Sequence, residues 1–310
     1  MKRLFVAAAT VLALSSLNAC ASPSRAGEAD DLRSALAEMP GVSTVKLDYT
    51  EPVILDSGKL ELRVTMLSDA EPEDLVRVTK RAYVGFEGPH HGEEGDLFVT
   101  WGDDTVHVRS FEPQARVAAV EQAAQHAMAV LPASSVRVDL ATQDVARSPH
   151  VFTEYAVTIG EKGGDGVLQT LSDLEEAHAG IPDAAWGVQT RADETGWQLA
   201  SASGFPDTQQ RALFDRLRQG IPRGASILLD DEFATAQVPP SVTPDEVSAM
   251  VGRHVGQLGG MKKAFYDVTS GEDFHLMNSA GDCTFATDPI GARLKKDHGA
   301  ACSKVTVVES

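Results

Sequence analysis

Apolar and polar residues alternate along most of the chain with two different periods. At a spacing of two, Leu60, Leu62, Val64 and Met66 point one way, with Glu61, Arg63 and Thr65 opposite. Val136, Val138 and Leu140 repeat the pattern, as do Tyr155, Val157 and Ile159. Such segments predict strands with one buried face. Between them the spacing lengthens to three or four. Leu32, Ala35, Leu36 and Met39 form one stripe; Val117, Val120, Ala124, Ala127 and Leu131 a second; Val247, Met250, Val251, Val255 and Leu258 a third. These predict amphipathic helices. Met39-Pro40, Leu131-Pro132, Ile181-Pro182 and Ile221-Pro222 mark where four helical stretches stop, since Pro removes a backbone donor and clashes with the preceding turn. Similar strand-like runs follow three of them, at 42–48, 134–139 and 225–230.

In order, these segments give helix–strand–strand units whose helices are predicted to begin near Ala29, Glu71, Pro113, Val167, Pro206 and Thr243. A repeat of about 40 residues is the mark of a duplicated supersecondary element. The expected fold class is α+β: repeated helix–strand–strand units forming two-layer sandwiches of mainly antiparallel sheets, with helices on one face. Two units make one module, placing modules at 29–110, 111–204 and 205–278, ahead of a tail at 279–310. The rival arrangement fuses neighbouring pairs into longer sheets. The segment 233–238 is a poor strand, lying just before Pro239-Pro240.

Composition adds limits. Of the 310 residues, 43% are hydrophobic and 23% charged, which excludes a mainly disordered chain. A formal charge of −18 argues against nucleic acid as a partner, because phosphate neutralisation needs Lys and Arg. Lys2 and Arg3 precede a mainly apolar run from 4 to 17, too short for a comfortable membrane span. It ends Leu17-Asn18-Ala19-Cys20. Here the chain resembles bacterial prolipoproteins, whose lipobox is a Leu, two small or neutral residues, then Cys. The resemblance implies a signal peptide at 1–19 and cleavage before Cys20. It also implies a diacylglyceryl group on that thiol, with palmitate-type acyl chains holding the mature protein to the cell membrane, outside the cytoplasm. Losing Lys2 and Arg3 takes the charge from −18 to −20, so the lipid rather than the body must hold it to an anionic surface. Residues 20–28 are small and polar and read as a tether reaching roughly 15–18 Å.

With Cys20 lipidated, Cys283 and Cys302 remain, and an exported pair at this spacing predicts a disulfide. The most suggestive chemical cluster is the run 87–96, in which His90, His91, Glu93 and Glu94 offer imidazole and carboxylate ligands for Zn²⁺ or Cu²⁺. Its glycines and Pro89 equally suit a solvated connector between a helix and a strand. His178 and His254 fall on apolar helix stripes and read as core histidines. Lys162-Gly163-Gly164-Asp165-Gly166 lacks phosphate-loop spacing and reads as a turn. Trp101, Trp186 and Trp197 fall on strands, where rings form a binding platform or pack under helices. Arg211, Arg216, Arg218 and Arg223 read as a solvated helix face. There is no nucleophile elbow, no HExxH and no cofactor motif. The leading expectation is a lipid-anchored bacterial envelope protein acting as a non-enzymatic binding or scaffold module for an envelope protein or small molecule. The alternatives are a metal-assisted envelope hydrolase using His90 and His91, and a spacer that positions the cysteine-bearing tail.

Overall fold

Period-2 apolar runs and amphipathic helices alternate along the chain as the pattern predicts. The computed structural model describes residues 24–53, 56–111, 115–131, 135–141, 144–145, 148–149, 151–160, 163–191, 196–258, 265–271, 273–278 and 281–309. The expected signal peptide and Cys20 lie outside these residues. The chain divides into two compact units, Met1–Met128 with Leu140–Val151, and Ala129–Asp139 with Phe152–Ser310. This grouping differs from the three modules expected from pairing the repeats.

The first unit runs α1 (Ala26–Ala37), β1 (Val42–Thr50), β2 (Lys59–Met66), α2 (Pro72–Glu87), β3 (Glu94–Trp101), β4 (Asp104–Phe111) and α3 (Val117–Val130). Its sheet order is β1-β2-β3-β4. Helix α2 starts where a capping box allows: Glu71 and Asp74 exchange side-chain-to-backbone bonds, and Pro72 occupies the first turn. Leu75, Val78, Ala82 and Phe86 on α2 are buried, as are Leu32 and Leu36 on α1. They cover Leu60, Leu62, Val64, Leu97 and Val99, all at most 1% exposed. Each such side chain contributes about 1.5–3 kcal/mol relative to exposure. Gly95 stands on this covered face because a Cβ there would meet the Phe86 ring at 2.8 Å.

The second unit contains most of β5 (Ser135–Ala141), then β8 (Phe152–Ile159), α4 (Gly163–His178), β9 (Ala184–Thr190), β10 (Gln198–Ser201), α5 (Thr208–Leu217), β11 (Ser226–Leu229), β12 (Phe233–Gln237), α6 (Pro244–Leu258), β13 (Phe265–Ser270), β14 (Asp273–Asn278), β15 (Asp282–Ala286), α7 (Pro289–His298) and β16 (Lys304–Val308). The short strands β6 (Asp144–Val145) and β7 (Ser148–Pro149), which fall to the first unit, pair as a separate hairpin. The sheet of the second unit follows the order β5-β8-β9-β10-β11-β12-β13-β14-β15-β16. The longer-sheet arrangement therefore holds within this unit. The weak segment at 233–238 does form a strand, β12, paired on both sides.

The α+β class holds, and the sheets are mixed, with antiparallel and parallel pairs. Hairpin pairs such as β1/β2, β3/β4, β9/β10 and β11/β12 are antiparallel. Pairs joined through a helix, β2/β3, β8/β9, β10/β11 and β12/β13, are parallel. The reason is geometric: a strand, a crossover helix and an adjacent strand make a βαβ unit, which returns the chain in the same direction. The tail also holds more than a staple. β15, α7 and β16 form a further crossover, with β15 and β16 parallel. Asp288 caps α7 by accepting from the backbone N–H groups of Ile290 and Gly291, and Pro289 fills the first turn.

Cys283 on β15 and Cys302 before β16 are joined by a disulfide, with Cα atoms 5.9 Å apart. The five residues of β16 are all exposed, so little burial holds the strand in place. Replacing both cysteines with Ser should lower the stability of the second unit by roughly 3 kcal/mol in the chain-entropy model, read as a shift in the denaturant midpoint. An unchanged midpoint would mean that the ladder to β15 holds β16 unaided.

Candidate functional site

The polar residues of β2, β3 and β4 face away from the helices and fall into register. The parallel β2/β3 pairing sets Lys59 beside Glu94, Glu61 beside Asp96 and Arg63 beside Phe98. The antiparallel β3/β4 pairing sets Asp96 beside Arg109 and Phe98 beside His107. The result is a connected network on the open face of the first unit. Lys59 Nζ lies 2.8 Å from Asp96 Oδ2, 3.3 Å from Glu94 Oε1 and 4.0 Å from Glu61 Oε2. Arg63 pairs with Glu61 at 2.6 Å and stacks its guanidinium over Phe98, 4.6 Å from the ring centroid. Phe98 in turn stacks on His107 at 4.1 Å, and His107 Nε2 lies 3.1 Å from Asp96 Oδ1.

Asp96 and His107 are only 6% and 8% exposed although no helix among the described residues of this unit covers their face. Burial alone pushes the Asp96 carboxyl upward; the hydrogen bonds and charge from His107 and Lys59 outweigh it and hold the group below the usual carboxylate range. The hydrogen bond to Asp96 raises the Lys59 ammonium above its ordinary value, overcoming the opposing effect of burial. The face thus carries a buried carboxylate between two nitrogen donors, ringed by Arg63, Glu61, Glu94 and an aromatic ring. It can hold a shape and present charges and a stacked ring to a partner. These side chains include no Ser, Thr or Cys nucleophile.

The four metal candidates do not assemble. His90 is 1% exposed and its Nδ1 meets Glu93 Oε2 at 2.7 Å. The other Glu93 oxygen accepts from the Tyr49 hydroxyl at 3.1 Å. His91 is exposed; its backbone carbonyl accepts from Arg25 at 3.0 Å. Glu94 turns to Lys59 on the open face. Strand β3 begins at Glu94, so Glu93 and Glu94 leave the backbone on opposite sides. Among the described residues, no three His, Cys, Asp or Glu side chains gather as a metal site. His90 and Glu93 instead form a buried polar plug where the chain enters α1, since the backbone N–H of Arg25 donates to the Tyr49 hydroxyl at 3.1 Å.

The other sequence candidates fall into structural roles. His178 is half-buried beside Trp186, and desolvation lowers its pKa. Trp186 is buried between Tyr155 and Phe205, with ring centroids 4.2 and 4.4 Å away. Trp197 packs edge-on against Phe214 of α5. Neither ring makes an exposed platform; Trp101 ends β3, half-buried. Arg211 pairs with Glu175, and Arg218 with Asp165 and Asp215. The expected turn at 163–166 is instead the first turn of α4, where Gly164 is buried against Trp197. Ser248, Asp297 and His298 come together, but not as a triad. The Ser248 hydroxyl donates to Asp297 at 2.6 Å, so its proton goes to the carboxylate rather than the imidazole.

Sequence reasoning missed the Lys59–Asp96–His107 network. Its signal was the charged side of the alternation, Lys59-x-Glu61-x-Arg63 and Glu94-x-Asp96-x-Phe98. It also missed a groove of about 460 Å³ in the second unit, lined by Phe152, Glu154, Gln198, Asp230, Asp231 and Phe233 among others. Two of its acids build the local backbone: Asp230 accepts from the N–H groups of Glu232 and Phe233, and Asp231 from that of Ala202. No family model matches the chain, and no curated protein or solved structure matches it either.

Two pH responses follow. Because the Asp96 pKa is depressed in the folded chain, its contribution is present above the unfolded value of about 4 and is lost as pH falls through the folded value. Asp96→Asn should flatten that acid limb of the stability curve, read by denaturant titration from neutral pH downward. His254 is buried on α6 with Nδ1 2.7 Å from the Tyr266 hydroxyl, and burial lowers its pKa to about 4. The unfolded chain binds that proton more readily, so stability should fall by roughly 3 kcal/mol as pH drops from about 6.5 to 4. His254→Gln should remove this slope; an identical slope in the variant would assign it to other groups.

Proposed function

We propose that this chain is an exported bacterial lipoprotein. A lipid on Cys20 holds it to the outer side of a cell membrane, and its body serves as a non-enzymatic binding or scaffold module. The observation that carries the reading is the Leu17-Asn18-Ala19-Cys20 motif behind Lys2, Arg3 and an apolar run. The Cys283–Cys302 disulfide supports an oxidising compartment. No helix among the described residues is long and apolar enough to cross a membrane. In this reading the acyl chains supply the attachment.

The contact surface in this reading is the open face of the first unit. Its charges are neutralised among themselves before any partner arrives, so docking leaves few ions unpaired. Arg63 and Lys59 remain partly exposed above the buried Asp96, with side chains 59% and 39% exposed. A partner with alternating charge, such as an extended acidic-and-basic segment or a polar sheet face, suits this pattern.

Expression in a bacterium with intact lipoprotein processing tests the anchor. The mature chain should start at Cys20 and carry the added mass of a diacylglyceryl group and an acyl chain. Cys20→Ser should abolish that mass and leave the precursor uncleaved before residue 20. A soluble, unmodified mature protein from the wild-type sequence would overturn the proposal.

A further inference from the structure

The most exposed large apolar side chain among the described residues is Val53, at 61%. It lies in the connection between β1 and β2, in a tight turn closed by two backbone bonds. The Val53 N–H donates to the Asp56 carbonyl at 3.1 Å, and the Asp56 N–H to the Val53 carbonyl at 3.0 Å. Turns at such positions are ordinarily polar. The described residues after it are fastened by a hydrogen bond and a close backbone return. The backbone N–H of Gly58 donates to Asp56 Oδ1 at 3.0 Å, and Gly58 adopts φ +81°. A Cβ on Gly58 would lie 2.8 Å from the Pro52 nitrogen, so only glycine fits the close return of the chain.

The same end of the first unit receives the N-terminal segment. The Ser24 hydroxyl donates to Glu51 at 2.7 Å, two residues before Val53. Arg25 is bound through its backbone to Tyr49 and through its guanidinium to the His91 carbonyl. The tether expected over 20–28 is therefore shorter: α1 begins at Ala26, and Ser24 and Arg25 are already fastened to the body. Four residues of chain from Cys20 to Ser24 span at most roughly 14 Å when fully extended.

We infer that the Val53 turn is a membrane contact, resting against the lipid headgroup and acyl boundary beside the anchor, so that the first unit stands with this end toward the bilayer. The inference rests on the lipidation of Cys20. Given that lipid, the short leader brings Ser24, Glu51 and Val53 to the interface, and an exposed apolar side chain held beside the anchor is a surface that a bilayer accepts. Lipid is the favoured occupant because the chain's own anchor delivers this end to it. Leu67, 44% exposed, follows the other end of β2 and lies about 26 Å away along an eight-residue strand. It is an apolar control on the same unit.

The test uses the lipidated full chain reconstituted into phosphatidylcholine vesicles, with its mass measured first. A fluorophore is placed on Val53→Cys or, separately, on Leu67→Cys, and quenching by nitroxide-labelled lipids is compared. The label at 53 should be quenched several-fold more than the label at 67. A third label on Ser57→Cys should lose quenching when Val53→Asp is added, with unchanged circular dichroism. A chain without added lipid mass overturns both the anchor and the inference. A lipidated chain with equal quenching at 53 and 67 overturns the inference alone. So does a label at 53 shielded from aqueous quencher but untouched by the lipid nitroxides, which would place a protein partner on the turn.

Discussion

Each repeat supplies one helix for two strands, and the crossover helices β2–α2–β3 and its counterparts return on the covered side of their sheet. Only one face of the first unit's strands can therefore be buried under helices, and that constraint shapes everything on the other face. Alternation places Leu60, Leu62 and Val64 inward, which leaves Lys59, Glu61 and Arg63 outward with no helix to shelter them. The parallel partner strand then sets Glu94, Asp96 and Phe98 alongside. The open face is stable because these rows pair with one another. The exposed pairs, such as Arg63 with Glu61, contribute little individually. Asp96 is different: it is buried, and losing Lys59 or His107 would leave a desolvated carboxylate with half its partners.

A second polar cluster works in the opposite sense, inside the helix layer. The buried His90 and Glu93 and the half-buried Tyr49 bond to each other at the start of α1. The bonds through His90 Nδ1 and both Glu93 oxygens specify one arrangement, although His90 Nε2 is buried without a hydrogen-bond partner. Here the arrangement fixes where the N-terminal segment meets the body. Arg25 can bond Tyr49 and the His91 carbonyl only if α1 starts beside the end of β1. A loop that read as a candidate metal site is thus the fastening point of the chain's leading segment.

Much of the architecture was legible in the residues themselves. The stripes Leu32/Leu36 and Val247/Met250/Val251/Leu258 and the alternation of β2 survive almost unchanged, because side-chain periodicity is a local property of helix and strand geometry. Val255 is an exception: it is 45% exposed, and His254 takes the buried position on α6. The stripe runs through 247, 250, 251, 254 and 258, with His254 in the core place that its position on the apolar face predicts. The cysteine pair was legible too, since two thiols close in sequence leave few alternatives.

What sequence could not decide was which strand lies beside which. The parallel pairing of β2 with β3 and the register Glu61–Asp96 are set by a helix crossing between them, a relation among residues more than thirty positions apart. Hence the charged network was invisible although each of its residues stood in a readable alternation. The same holds for Glu93, whose partner Tyr49 is 44 residues away. Local pattern determined the elements and their apolar faces, because period depends only on backbone geometry. Tertiary structure decided which polar groups meet, because hydrogen bonds and ion pairs depend on distances of a few ångströms that only packing sets.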